Sequence, residues 1–136
     1  MHICFGGVDA TRGLALGTLP EELAAARRDE AAGAEAGASR AETDRCIVLG
    51  RGFEYATARE WALKLKELAQ VKADPYSAAD FQHGPMALVE PDYLVLASAP
   101  SGLTLPSMQE LLTRLRDQYR VDLVIPYDHA ARALST

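Results

Sequence analysis

The chain has 136 residues, of which 49% are hydrophobic and 24% are charged. This composition is typical of one soluble globular domain and excludes a chain disordered throughout. A net charge of −5 without a cluster of Lys and Arg argues against a nucleic-acid partner, which requires a concentrated basic face. No apolar run approaches the roughly 18 residues of a membrane span, so we expect a cytoplasmic protein that does not contact membranes.

The two cysteines, Cys4 and Cys46, lie far apart, and each stands in a short apolar run. Small buried hydrophobic residues have such neighbours, and no Cys-x-x-Cys spacing indicates a redox or metal role. A disulfide or a nucleophilic thiol is the less favoured alternative. We therefore predict two free thiols, and we expect neither a cofactor nor a metal ion.

The first third of the chain has weak structural signals. Residues 1–19 favour at most a short strand followed by a loop. From Pro20 to about Arg45 the chain is rich in Ala, Glu and Arg, which predicts a helix that Gly33 and Gly37 interrupt. We interpret residues 1–44 as an N-terminal extension that is helical from about residue 20.

Residues 45–136 are predicted to form a single domain in which strands alternate with helices. Residues 46–49 are a continuous apolar run, which is typical of a strand buried on both faces in a parallel sheet. Helical spacing between residues 55 and 70 predicts a helix with one apolar face, formed by Ala58, Trp61, Ala62, Leu65, Leu68 and Ala69.

The pattern then repeats towards the C-terminus. Residues 71–76 predict a short extended segment that is stopped at Pro75, Ser77 begins a short helix, and His83-Gly84-Pro85 forms a turn. Residues 93–97 and 121–125 predict strands on either side of a second amphipathic helix at 105–119. Strands separated by such helices imply parallel crossovers, so we predict an α/β fold with helices on both faces of the sheet.

Two predicted loops could bind a ligand, because ligands of open α/β sheets bind where strands end. The first is Gly50-Arg51-Gly52, whose glycines permit positive φ and a close approach of a ligand to the backbone. A tight turn with Arg51 in solvent explains the same residues. Both interpretations stay open.

The second loop, residues 98–104, carries the hydroxyls of Ser98, Ser101 and Thr104 and the glycine Gly102. It precedes a helix, whose unpaired N–H groups and positive dipole end suit a phosphate. Helix capping by Thr104 and a turn at Ser101-Gly102 explain these residues without a ligand. On these residues alone, the interpretation without a ligand is favoured.

Glu60, Lys64 and Glu67 stand at i, i+4 and i+7, away from the apolar face of their helix, so their side chains can contact one another. Surface salt bridges are the ordinary interpretation of such a series. A carboxylate beside a lysine can instead move a proton between adjacent sugar carbons. His83 is either a structural residue beside a turn or a group that titrates near neutral pH during sugar-ring opening.

These residues also carry a resemblance to a known family. Residues 50–67 read Gly-Arg-Gly-Phe-x-Tyr-Ala-x-Ala-x-Glu-x-Ala-Leu-Lys-Leu-Lys-Glu, and residues 78–85 read Ala-Ala-Asp-Phe-Gln-His-Gly-Pro. Together they resemble the sugar isomerase (SIS) domain. More narrowly, they are similar to the second SIS domain in the isomerase half of glutamine:fructose-6-phosphate aminotransferase and of its glucosamine-6-phosphate deaminase relatives. The match covers about residues 45–125.

The resemblance implies a three-layer αβα sandwich with a parallel flavodoxin-like sheet, and a phosphorylated sugar or amino sugar as ligand. It implies aldose–ketose isomerisation or deamination through an enediol or enamine. Glu67 would move the proton between C1 and C2, Lys64 lies on the same helix, and His83 would assist ring opening in the neighbouring subunit's site. We therefore expect a homodimer. The residues expected to bind the substrate are Gly50, Arg51, Gly52, Ser101, Gly102 and Thr104.

Family members carry two SIS domains and a C-terminal tail, and the aminotransferases also have an amidotransferase domain. We expect these parts to be absent here, so glutamine-dependent amination is not expected of this chain alone. Catalysis by the chain is left open. The alternative is a truncated, non-catalytic SIS module for sugar-phosphate sensing or protein interaction. An unrelated nucleotide-binding domain would need a loop richer in glycine or hydroxyl groups than Gly50-Arg51-Gly52.

Overall fold

The computed structural model of this protein describes residue 24, residues 30–125 and residues 134–135. Several predictions concern residues outside these ranges. They are the strand and loop at 1–19, the start of the first helix at Pro20 and the free thiol of Cys4. The chain divides into two units between Ala41 and Glu42.

The described part of the first unit contains helix α1, Glu30–Ala38. The prediction that Gly33 and Gly37 interrupt the helix was wrong, because both lie inside α1. A glycine costs about 1 kcal/mol relative to alanine in a helix interior, but it keeps its backbone N–H and C=O. Gly33 and Gly37 therefore weaken α1 without ending it.

The described part of the second unit contains four strands, three further α-helices, one 3₁₀ turn and one π-helical turn. The chain runs through β1 (Arg45–Gly50), α2 (Glu54–Ala69), β2 (Lys72–Ser77), α3 (Ala78–Phe81), a 3₁₀ turn (Pro85–Leu88), β3 (Leu94–Ala97), α4 (Leu105–Arg114), a π-helical turn (Leu115–Tyr119) and β4 (Asp122–Val124). The predicted strands and long helices are confirmed to within a few residues at their ends.

All four strands are parallel and lie in the order β2-β1-β3-β4. Val48 in the middle of β1 stands opposite Pro75 of β2 and Leu96 of β3. This is the order of the first four strands of a flavodoxin-like sheet. The predicted parallel α/β fold is confirmed.

Both faces of the sheet are covered, as the continuous apolar run in β1 predicted. Ile47 and Leu49 belong to a buried cluster that contains apolar residues of α4. Cys46 and Val48 belong to a second buried cluster, which contains residues of α2. The sheet is therefore the middle layer of three. None of the helices in the described part of the chain is long and apolar enough to cross a membrane.

The prediction that Pro75 stops the extended segment was wrong, because β2 continues through it to Ser77. β2 is an edge strand of the described sheet and pairs only with β1. An edge position tolerates proline, because only one side of the strand has to donate hydrogen bonds to a neighbour. The predicted helix start at Ser77 is confirmed, since its hydroxyl accepts a 3.3 Å hydrogen bond from the Ala79 N–H.

Helix α2 packs on the sheet through the predicted face, but over a shorter length. Ala58 and Ala62 are buried and Leu65 is half-buried, whereas Leu68 is 80% exposed and Ala69 is also exposed. Periodicity identifies the side of a helix that faces the core. It does not show where the neighbouring layer ends.

Candidate functional site

The Gly50-Arg51-Gly52 loop connects β1 to α2, and its two glycines serve different purposes. A Cβ on Gly50 would lie 2.1 Å from the carbonyl oxygen of Glu54. Gly50 thus permits a close approach of the chain's own backbone, where the sequence had suggested an approaching ligand. Gly52 has φ +62, which confirms the predicted positive φ at this position.

The two predicted binding loops adjoin at the carboxyl edge of the sheet. A Cβ on Gly52 would lie 3.5 Å from Cγ2 of Thr104. Beside it, the Ser98 hydroxyl donates a 2.5 Å hydrogen bond to the Glu54 carboxylate. β1 leads to a helix on one face and β3 to a helix on the other, so the loops border the crevice in which ligands of such sheets bind.

Ser98 is not available to a ligand in the way that Ser101 and Thr104 are. Its side chain is buried and donates to Glu54, and its N–H donates to the carbonyl oxygen of Leu49 at 2.9 Å. Ser101 is exposed, and Thr104 stands at the N-cap of α4 without a side-chain capping hydrogen bond. The structure therefore does not support capping as the reason for the Thr104 hydroxyl.

Lys64 and Glu67 contact each other on the outer face of α2, as their spacing predicted. Lys64 Nζ lies 2.9 Å from Glu67 Oε2 and 3.7 Å from Glu60 Oε1. The side chains of Lys64 and Glu67 are both about half exposed. The hydrogen bond to Glu67, helped by the negative charges of Glu67 and Glu60, raises the pKa of Lys64. The ammonium therefore stays charged beside a carboxylate that faces outward.

The predicted catalytic residues do not all come together within one chain. At about 1.5 Å per residue, Glu67 lies roughly 20 Å along α2 from Glu54, at the far end of the helix from the crevice. His83 is exposed in the turn after α3, which follows the carboxyl end of β2. Lys64 and Glu67 thus stand near the amino edge of the sheet, whereas His83 and the two loops stand near its carboxyl edge.

Arg51 is half-buried and lines a cavity together with Arg114 and Gln82. The sequence analysis missed Glu54, Arg114 and Gln82. Glu54 could have been found, because it is an acidic residue in the first helical turn after the Gly-Arg-Gly loop. Arg114 lies in the last turn of α4, where a basic residue ordinarily complements the helix dipole, so it carried no signal of binding.

Cys46 is confirmed as a free, buried thiol. Burial raises its pKa to about 11, which keeps the sulfur protonated and unreactive near neutral pH. Within the described part of the chain, no three His, Cys, Asp or Glu residues are grouped so that they could hold a metal ion.

A family model and the curated relatives agree on what this chain is similar to. A family model described as SIS domain matches residues 41–121. The chain is 34% identical over 124 residues to an isomerizing glutamine–fructose-6-phosphate aminotransferase of Pseudomonas putida, a match that covers 91% of this chain and 20% of that protein. An aminotransferase of the same name from Sphingobium yanoikuyae is 41% identical over 86 residues, covering 60% of this chain and 53% of that protein. The chain thus spans a fifth to a half of these relatives.

Solved structures agree with this result. A candidate phosphosugar isomerase from Silicibacter pomeroyi has a TM-score of 0.74 and 33% identity, over 91% of this chain and 37% of that chain. Tagatose-6-phosphate ketose/aldose isomerase from Escherichia coli has a TM-score of 0.59 and 29% identity, over 68% of this chain and 27% of that chain. With its parallel sheet and its matching family model, the chain belongs to the SIS domain family.

Proposed function

We propose that this SIS domain binds a phosphorylated sugar or amino sugar and, as a cytoplasmic homodimer, catalyses aldose–ketose isomerisation or deamination of it. The observation that carries the proposal is the exposed pair of Lys64 and Glu67, with 2.9 Å between nitrogen and oxygen. The names of the relatives support the substrate class, since they specify fructose 6-phosphate and tagatose 6-phosphate.

In this proposal, Glu67 is the general base. Its carboxylate takes the proton from C2 of the open-chain aldose, which leaves an enediolate with its negative charge on O1. Transfer of the O2 proton to O1 and return of the carbon-bound proton from Glu67 to C1 give the ketose. Lys64 keeps a positive charge beside the carboxylate and stabilises the negative charge that develops on the sugar oxygens. His83 exchanges the proton that ring opening requires.

The proposed homodimer completes the site. Because Glu67 and His83 of one chain stand at opposite edges of the sheet, one copy supplies Glu67 and the other supplies His83. The surface around Glu67 suits contact with another protein, since Leu63 and Leu68, which flank the Lys64–Glu67 pair around α2, are 45% and 80% exposed. A monomer would instead favour the non-catalytic sensing module, because the catalytic residues would remain apart.

The first test is isomerisation of fructose 6-phosphate by the Glu67→Gln variant. We expect turnover to fall by roughly 10² to 10⁴, while fold and ligand affinity are kept, since that is the usual contribution of a general base. Glu90→Gln is the matched control, because Glu90 is an exposed carboxylate that pairs with Arg45 at 3.4 Å. Equal turnover of wild type and Glu67→Gln would remove Glu67 from the mechanism. Ligand binding without turnover in wild type would support the sensing module.

The second test mixes two inactive variants, Glu67→Gln and His83→Ala, and lets their subunits exchange. If the site is shared, each mixed dimer holds one site with an intact Glu67 and an intact His83. About a quarter of the wild-type turnover should then return at equal concentrations, because half of the dimers are mixed and half of their sites are intact. A mixture as inactive as its components would contradict the shared site.

A further inference from the structure

A cavity of about 390 Å³ lies along α4, and two guanidinium groups line it. Arg51 comes from the loop after β1, and Arg114 comes from the last turn of α4. Gln82, Glu110 and Thr113 add polar groups to the wall. The volume is within the usual range of small-molecule sites.

Neither guanidinium in this cavity has a carboxylate partner among the described residues. Arg114 Nη2 donates to two neutral acceptors, Gln82 Oε1 at 3.0 Å and Met86 Sδ at 3.3 Å. Its Nε is buried and has no acceptor among the described residues. The Arg51 side chain makes no hydrogen bond or ion pair within the described part of the chain. A partly buried charge without a counter-charge costs free energy that a bound anion would offset.

The acidic residues that line the cavity form no ion pair with Arg51 or Arg114. Asp117 is already paired with Arg116, at 2.6 Å from the Arg116 Nε. Glu110 stands one helical turn before Arg114, but the two form no ion pair. Its carboxylate is free to accept hydrogen bonds from hydroxyl groups. The cavity therefore combines a cationic part with a part suited to hydroxyls.

We infer that this cavity binds the phosphate group of a small-molecule ligand between Arg51 and Arg114. The planar guanidinium of Arg51 can donate two parallel hydrogen bonds to phosphate oxygens, and Arg114 can donate to them through Nη1 while Nη2 keeps its present acceptors. Two cations match the double negative charge of a phosphate monoester. The site is distinct from the Ser101–Thr104 loop, which the family resemblance had implied. The identification of the ligand as a sugar phosphate rests on the proposed function. The inference that the cavity binds a phosphate group is independent of it.

Calorimetric titration of the full chain with inorganic phosphate and with fructose 6-phosphate tests the inference. We expect Arg51→Gln and Arg114→Lys each to weaken both ligands by about 10- to 100-fold, the usual effect of losing charged hydrogen bonds. The Arg51 side chain has no partner to lose within the described part of the chain, so its variant should melt like wild type. Arg59→Gln, which removes an exposed arginine from α2, should bind both ligands within about twofold of wild type.

The double variant Ser101→Ala, Thr104→Val distinguishes the two phosphate sites. The inference is overturned if that variant loses affinity while Arg51→Gln and Arg114→Lys do not, a result that would leave the proposed function intact. It is also overturned if Arg59→Gln is weakened equally, since the effect would then be general charge attraction. Arginine-dependent binding of inorganic phosphate without any binding of fructose 6-phosphate would support the inference and refute a sugar phosphate as the ligand. Binding of neither ligand would refute both.

Discussion

Replacing Gly50 with alanine perturbs the junction at which β1 meets α2. The new Cβ would lie 2.1 Å from the carbonyl oxygen of Glu54, 2.5 Å from its carbonyl carbon and 2.8 Å from the backbone nitrogen of Tyr55. All three are backbone atoms, so no change of rotamer relieves the contact. The first turn of α2 has to move by about 1 Å or more to restore ordinary van der Waals separation.

We expect the variant to lose about 3 kcal/mol of unfolding free energy or more, at the upper end of the cost of overpacking. For a domain of this size, that loss lowers Tm by about 10 °C. Displacing the first turn of α2 also moves Glu54 away from the Ser98 hydroxyl. Ligand affinity at the crevice should therefore fall together with stability.

Two other glycines provide matched controls. Gly52 has φ +62, but a Cβ there would have no atom closer than 3.5 Å, so Gly52→Ala adds only backbone strain of about 1–2 kcal/mol. Gly84 has an extended φ of 178 and open space around it, so Gly84→Ala should stay within about 0.5 kcal/mol of wild type. Urea denaturation measures the unfolding free energies of the three variants, compared with one common slope of free energy against urea concentration. A Gly50→Ala protein as stable as Gly84→Ala would refute the reasoning.

Three further predictions concern the buried thiol and the assembly. Burial raises the pKa of Cys46 from 9.0 to about 11. In the Cys4→Ser variant, a disulfide reagent at pH 8 should therefore modify Cys46 more slowly in the folded chain than in the unfolded chain, by about 100-fold or more. Equal rates would contradict the burial of Cys46. The folded state also keeps this proton while the unfolded state loses it, so stability should fall as pH rises from about 9 to 11, and Cys46→Ala should reduce that fall. Sedimentation at tens of micromolar should give a homodimer, and a monomer would contradict the shared site.

Hydrophobic patterns in the sequence predicted the strands and helices whose formation depends on residues close together in the chain. The apolar run at 46–49 and the helical spacing at 55–70 correspond to β1 and α2, because burial on two faces and on one face leave different periods in the sequence. Pro75 was misjudged because its cost depends on whether the strand lies at a sheet edge. Only the order of the strands shows that, and the order is a property of the whole fold.

In the candidate site too, contacts between residues close in sequence were predictable, whereas contacts between distant residues were not. The contact between Lys64 and Glu67 was predictable, because residues three apart are neighbours on any helix. The hydrogen bond between Glu54 and Ser98 joins the ends of two structural elements distant in sequence, and the cavity of Arg51 and Arg114 is likewise built from distant segments. Their meeting depends on the crossover between β1 and β3, for which no local residue pattern is a signal.

Pro75 also affects how this sheet can meet other chains. An open edge strand offers a row of backbone donors and acceptors on which a strand from another molecule can align, which is a route to aggregation. Pro75 breaks the row of donors in β2, and β4 at the opposite edge of the described sheet has only three residues. Both edges are therefore poor sites for strand addition. The proposed homodimer would then have to form through helix surfaces, such as the outer face of α2, where side chains decide which partner fits.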